Sequence, residues 1–504
     1  MSSKIISPFN RVEGDLDVEV KFERNKVVDA KIISRLFRGI EIILKGKNPL
    51  DALVITPRVC GICGASHLYA SASALDMIYN AEVPINAIRL RNVLSMAETC
   101  QNDLRHTYFM FLIDVLNNKY RDYANFEEVI RRWAPIQGSS YKECFRWSKK
   151  YTEVYAIFGG QWPHGSAIVP GGITADPLPN EIQRAISILL DIKRNYLEKV
   201  ILGGPIDQFL DTVKSYNDLL QWAEDYKEGD LAKILEFGLE ANWHKLGYGS
   251  GIMLSYGHLP IEEYVGIPRK KYFKPGIYFA KEKEYKEFDQ RNVLEFVNSS
   301  YYIYSKGDQA GLHPFEGETN PNLDEKNKNK YSLTKCFRYK LDGKLIAPEA
   351  GALAMLTVSG NPLILDLIDK IGPSVLSRVI ARLVRVLIYN ELMLQELNSF
   401  EFGKPTYKKP SEVKEGMGYG LVEAPRGALG HWVVVKNEKI LNYQIVTPTQ
   451  INMSPEDPLG NKSHMALALI GTEVSDVNNP IEVHHIVRSH DACMVCNVHM
   501  LKLI

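Results

Sequence analysis

Arg58-Val59-Cys60-Gly61-Ile62-Cys63-Gly64-Ala65-Ser66-His67 is the stretch on which the reading of this chain turns. Two thiols stand three positions apart, each followed by glycine, so a tight turn can bring both sulfurs to one point. A second pair stands in Asp491-Ala492-Cys493-Met494-Val495-Cys496-Asn497-Val498-His499. Either pair alone fits a redox couple, half of a zinc site or coincidence. Together they supply four thiolates, a set suited to a soft metal. Zinc ribbons place their pairs roughly 15–20 residues apart, whereas nearly the whole chain separates these two. A site shared between them would clamp a finished body around an ion rather than nucleate a small local fold. Spacing leaves three readings open: one shared four-thiolate site, two unrelated pairs, or two zinc-ribbon halves. It does not name the metal.

Composition narrows the class. The 504 residues are 45% apolar and 24% charged, which supplies a buried core and excludes general disorder. Sixty basic residues balance sixty acidic ones, without the basic footprint of a nucleic-acid binder. Seven cysteines are few and odd in number, which argues against a secreted disulfide framework. No apolar run approaches the ~18–20 residues that span a bilayer, and the segment before Pro8 lacks a signal-peptide core. The expectation is a soluble chain, cytoplasmic or membrane-associated only through partners.

Residues 4–36 read as short strands. Leu16, Val18, Val20 and Phe22 alternate with polar neighbours, Arg24-Asn25 marks a turn, and residues 27–33 return as a second strand. Residues 84–117, 179–200 and 373–397 carry apolar side chains at helical spacing, the last two opened by Pro179-Asn180 and Pro373-Ser374. Glu318–Lys330 reads as a solvated loop. With no repeat or low-complexity linker, residues 1–504 are expected to form one domain. Its class is α+β, mainly α: a helical-bundle body, a small N-terminal antiparallel β element, and a metal site where the N- and C-terminal segments meet.

Further strings accompany the cysteines: Arg11-Val12-Glu13-Gly14-Asp15, Phe37-Arg38-Gly39-Ile40-Glu41, Gly159-Gly160-Gln161-Trp162-Pro163-His164 with Pro170-Gly171-Gly172 after it, and Glu423-Ala424-Pro425-Arg426-Gly427 running on to His431-Trp432. Taken singly, each reads as an ordinary loop with a surface or capped charge. Taken in order with both cysteine pairs, and with His313–Thr319 and Glu349–Ala354 between them, the chain resembles the large subunit of nickel–iron hydrogenases, most closely the uptake, respiratory-type branch. The resemblance runs over essentially the whole sequence.

That resemblance implies an enzyme that cleaves dihydrogen heterolytically, reversibly in principle, with an H2-sensing regulatory protein on the same scaffold as the alternative. It implies Cys60 and Cys493 as terminal nickel ligands and Cys63 and Cys496 as bridges from nickel to an iron that carries cyanide and carbon monoxide. Pro425, Arg426 and Thr449 match positions lining that pocket; a structural ion pair is the other reading of Arg426. His67 would tune the thiolates from the next layer out, or simply pack its helix. Glu13 is the expected proton acceptor, with a salt bridge to Arg11 as the alternative. Glu41 and His499 match a magnesium site. Cys100, Cys144 and Cys336 are dispersed singles that cannot hold an iron–sulfur cluster, so electrons would leave through an iron–sulfur small subunit, with His164 near its interface and a membrane or quinone-linked acceptor subunit beyond. The sequence departs from the family at Asp15 (usually His), Ala492 (usually Pro), His490 (usually aromatic) and Asn102 (often Asp). Residues 500–504 match a tail that family precursors lose.

Overall fold

The alternation around Leu16 becomes the middle of a three-stranded antiparallel sheet in a computed structural model that describes residues 2–323, 327 and 329–495. Its strands are Ser2–Ile6, Leu16–Glu23 and Lys26–Ser34, in that order. Leu16, Val18 and Val20 are buried, as period-2 patterning requires. Arg24 and Asn25 both take positive φ (48° and 65°), the two-residue loop whose twist matches its flanking strands. The chain's far end is stitched to this hairpin: Val27 N donates to Thr472 O and Val474 N to Asn25 O, both at 2.8 Å.

The periodic apolar stretches form helices. Ile85–Arg105 packs between Ser139–Gly159 and Val375–Asn398, and Gly64–Ile78 follows the first cysteine pair. The stretch expected over 84–117 runs on from Arg105 through a π segment, His106–Phe111, into a 3-10 segment, Leu112–Leu116. The one expected over 179–200 is α-helical from Pro179 to Ile192 and widens to a π segment over Lys193–Leu202. Ser374 caps the long helix by accepting from Ser377 N at 3.3 Å, a bond that satisfies one of the orphan N–H groups of the first turn.

Strand content goes well beyond the N-terminal element: the fold is mixed, 44% helical and 20% strand. A second three-stranded sheet, Gly416–Ala424, Gly427–Lys436 and Lys439–Val446, lies against the helix Gly64–Ile78. Glycine accounts for that contact. A Cβ on Gly420 would fall 1.8 Å from Ala70 O, and one on Gly418 would fall 2.2 Å from Ala74 O. The helix backbone therefore rests directly on the strand. Not all described residues of the stretch expected as a solvated loop face water: Thr319 turns inward to Glu41, and buried Lys330 pairs with Asp308 at 2.6 Å. One large buried apolar cluster includes Leu16 near one end of the sequence and Met494 near the other. Among the described residues, no single helix is long and apolar enough to cross a membrane.

Candidate metal centre

Three of the four paired cysteines converge. Cys60, Cys63 and Cys493 are buried at 0%, 3% and 0% exposure, and their sulfurs lie within 4.8 Å of one another. Cys60 Sγ and Cys493 Sγ are 3.6 Å apart. Sulfurs each about 2.3 Å from one ion can be at most about 4.6 Å apart, so this pair can share an ion. Cys496 and His499 lie outside the described residues, as does the tail 500–504.

Each sulfur is held by a different device. Cys63 is the N-cap of the helix Gly64–Ile78, where the helix dipole favours a thiolate. Cys60 Sγ accepts Ile62 N at 3.3 Å, and Arg38 ties the preceding turn by donating to Val59 O and Arg58 O, both at 2.6 Å. The helix start is anchored by Glu98, whose two carboxylate oxygens accept Ala65 N (2.8 Å) and Ser66 N (2.9 Å). Cys493 sits on a short parallel bridge to Glu13: Glu13 N donates to Ala492 O at 3.2 Å, and Met494 N to Glu13 O at 2.6 Å. Gly14 is required there, since it has φ +83° and a Cβ would lie 2.9 Å from Val495 N. Cys493 N donates to Thr449 Oγ1 at 3.0 Å.

Pro425 and Arg426 are the two-residue tip of the hairpin joining Gly416–Ala424 to Gly427–Lys436. Pro425 O accepts Arg385 Nη2 at 2.5 Å, and Arg385 in turn is paired with Asp103 at 2.8 Å. Arg426 is buried, and its Nε bonds Asp491 through the main-chain oxygen (3.0 Å) and Oδ1 (3.1 Å). Both Nη groups are buried with no hydrogen-bond acceptor among the described residues. Burial opposes the guanidinium's charge, but Asp491 and then Cys493, Cys63 and Cys60 hold its pKa well above the usual value. Two orphaned donors facing a thiol cluster suit an acceptor bound there, and soft sulfur donors suit a soft metal. The residues present fit a nickel–iron centre.

Glu13 does not pair with Arg11, which bonds Asp114 and Met110 O instead. Burial and the Cys60 thiolate push the Glu13 carboxyl up; Arg426 opposes them and Asp491 adds to them. His67 is buried and its Nδ1 is taken by His431 Nε2 at 3.0 Å, in a line that continues to Tyr443 OH (2.8 Å) and Ser71 (3.1 Å). Burial lowers its pKa to about 4. His164 lies against the cysteine turn, with Nδ1 2.9 Å from Pro57 O. Glu41 is buried in a separate polar group: its Oε1 accepts Ile445 N at 2.8 Å, and Lys335 Nζ stands 3.2 Å from its Oε2 and 3.9 Å from Glu295. Asp15 is exposed on this chain. Asn102 donates to Asp491 Oδ2 at 2.9 Å, a bond that a carboxylate at that position could not make while both are ionised.

A family model described as nickel-dependent hydrogenase matches residues 38–128 and 133–499. The chain belongs to the nickel-dependent hydrogenases. It is 30% identical to the periplasmic NiFeSe hydrogenase large subunit of Desulfomicrobium baculatum, over 98% of this chain and 94% of that protein. It is 28% identical to the hydrogenase-2 large chain of Escherichia coli K12 (99% and 98% covered) and 26% identical to the uptake hydrogenase large subunit of Bradyrhizobium diazoefficiens (99% and 95%). Among solved structures, the reduced, active Ni-Fe-Se hydrogenase of Desulfomicrobium baculatum superposes with TM-score 0.82 at 29% identity, covering 99% of this chain and 100% of that one. The reduced Ni-Fe-Se hydrogenase of D. vulgaris Hildenborough gives 0.81 at 28%, with the same coverage.

For this hydrogenase chain, sequence motifs indicated Cys60, Cys63, Cys493, Glu13, Pro425, Arg426 and Thr449, and the fold brings all seven together. They did not single out Asp491 or Glu98. Asp491 stands inside the second quoted string; Arg426 leads His106, Arg382 and Asn102 in holding its carboxyl down to about 2 against the effect of burial. Glu98 lies in mid-helix with no motif around it.

Proposed function

We propose that this chain is the catalytic subunit of a hydrogenase that takes H2 apart heterolytically into two protons and two electrons, reversibly in principle. The observation that carries the reading is the meeting of the Cys60, Cys63 and Cys493 sulfurs close enough to the Arg426 guanidinium to act on its charge, with both its Nη groups unbonded among the described residues. Cys60, Cys63, Cys493 and Cys496 would all hold nickel, and Cys63 and Cys496 would hold iron as well. When bound, that centre supplies the two-electron chemistry on H2. Around it, Arg426 would donate to a cyanide nitrogen on the iron, which also carries carbon monoxide, and Pro425 would exclude water. Thr449, which accepts the Cys493 N–H, keeps its own hydroxyl hydrogen to donate. Glu13 would take the proton released from H2; its backbone is bonded to the residues on either side of Cys493, which keeps this acid–base group beside the centre. His67 would support the thiolates from behind, steadied by His431.

Glu41 and His499 would hold magnesium, with waters and a backbone carbonyl completing the set; a carboxylate suits such a hard ion. Cys100, Cys144 and Cys336 are buried and widely separated in the sequence, so we infer an iron–sulfur small subunit that carries the electrons away, and a membrane or quinone-linked acceptor beyond it. The segment leading to the first cysteine pair supports a docking face there: Ile42, Ile43, Leu50 and Val54 are each about half exposed, and Pro57, later in the same segment, is bonded by His164. The reading includes one domain over 1–504 with a removable tail at 500–504. It also includes a cytoplasmic or partner-tethered location, although one relative is named as periplasmic. Metal analysis with infrared spectroscopy of the purified protein is the test. Nickel and iron with cyanide and carbon monoxide bands are expected; zinc alone without such bands would remove the proposal.

A further inference from the structure

Glu349, His464 and His490 form the other set of converging ligand-type atoms among the described residues, buried and within 4.8 Å of one another. Hydrogen-bond accounting decides what the set is. His490 Nδ1 faces Ile486 O at 2.8 Å, so that nitrogen carries the proton and the lone pair sits on Nε2. Ser250 N, which can only donate, points at His464 Nδ1 at 3.3 Å, and Ser250 Oγ lies 3.0 Å from the same atom. The His464 proton is therefore on Nε2, directed at His490 Nε2 (3.0 Å) and Glu349 Oε2 (3.2 Å). With this assignment each ring nitrogen of the two histidines has a partner of the right kind; Arg378 Nη2, a donor 3.3 Å from His464 Nε2, is spent instead on Glu349 Oε2 (3.0 Å) and Pro373 O (3.1 Å).

A metal ion would need the Nε2 lone pairs of both rings, which would cost His464 its bond from Ser250 N. It would also sit against Arg378, whose Nη2 is 3.3 Å from His464 Nε2 and which bonds both Glu349 oxygens at 2.7 and 3.0 Å. Bringing a dication beside a buried guanidinium is strongly unfavourable. The cluster is a hydrogen-bonded clamp.

Its place in the chain gives it a use. His490 closes the helix Ile481–Ser489, and the next residues are Asp491, at φ 54°, Ala492 and Cys493. No proline fixes the backbone in this turn. Downstream it is held by Asn102 and Arg426 on Asp491 and by Thr449 on Cys493; upstream, by the two bonds of the His490 ring. We propose that His490, braced by His464 against the Glu349–Arg378 pair, is a positioning residue that sets where the Cys493 sulfur meets the metal centre. The proposal rests on Cys493 being a metal ligand.

The test uses the holoenzyme with its partner and compares the wild type with H490F, H490Q and H464Q. Nickel and iron content, the infrared bands of the iron ligands and thermal stability are read together. H490F is expected to lose nickel severalfold and to displace the bands. H490Q, whose amide oxygen can accept from His464 Nε2, is expected to restore both. A folded H490F with full nickel and wild-type bands, changed only in melting temperature, would overturn the proposal. If H490F does not fold, H464Q decides: displaced bands support the clamp and unmoved bands overturn it. Stoichiometric zinc in the wild type that is lost in H464Q would overturn it in favour of a second metal site. A wild type with no nickel and no bands would fail the metal-centre reading instead, which is a separate result.

Discussion

Glu13 is bonded through its backbone to Ala492 and Met494, the residues on either side of Cys493, so the main chain that carries the carboxyl and the main chain that carries the sulfur move together. Glu13→Gln preserves size and those bonds but removes the acid–base group. Hydrogen/deuterium exchange by the holoenzyme is expected to collapse while nickel and iron stay bound; unaltered exchange would reject Glu13 as proton acceptor. Glu98 acts differently, as the carboxyl that accepts the first N–H groups of the helix that follows Cys63. Burial pushes its carboxyl from 4.5 up to about 7; the Ser66 hydroxyl and the Ala65 and Ser66 amides pull it down, and Cys60 adds to the rise. Because the folded value is the higher one, this group favours the folded state most below pH 4.5, and that contribution is lost as pH rises to about 7. Glu98→Gln should flatten that part of the stability profile and cost about 1–3 kcal/mol, since an amide nitrogen would face a backbone N–H. Denaturant unfolding across this pH range measures both. Residues of this kind escape a sequence reading because a buried acid in mid-helix carries no local signal. The cysteines announce themselves through spacing.

Elements built on a regular apolar period were legible. The Leu16 hairpin was foreseen down to its Arg24-Asn25 turn, and so were the cores of the helices ending at Arg105, Ile192 and Asn398. The sheet from Gly416 to Val446 was not, for a physical reason. In Gly416-Met417-Gly418-Tyr419-Gly420 the positions facing the helix must be empty, so the apolar half of the alternation is missing and the stretch resembles a loop. Gly420→Ala should therefore be severely destabilising, more than the about 1–3 kcal/mol typical of overpacking, because the atom in the way is a main-chain oxygen. Nickel content should fall with stability, since the displaced helix begins at Cys63. Gly416→Ala, which meets only an Ile78 methyl at 3.2 Å, should be mild. Equal melting temperatures for the two variants would contradict this account.

At the scale of the whole molecule, the centre draws its parts from both ends of the sequence, with Arg426 and Thr449 from between. Removing the metals should loosen the seam between the ends first. Amide exchange at Glu13 and Met494, slow in the holoenzyme, is expected to become fast in metal-free protein while the Val375–Asn398 helix stays protected; uniform protection would refute it. The same seam bears on how the protein comes into being. During synthesis the Glu13 strand waits for a pairing partner that leaves the ribosome only after residues 14–491 have been made, and contacts of such long range form slowly. A nascent chain has Cys60 and Cys63 but no pocket. Metal delivery is therefore expected after translation, before the Cys493 segment is set as the last wall.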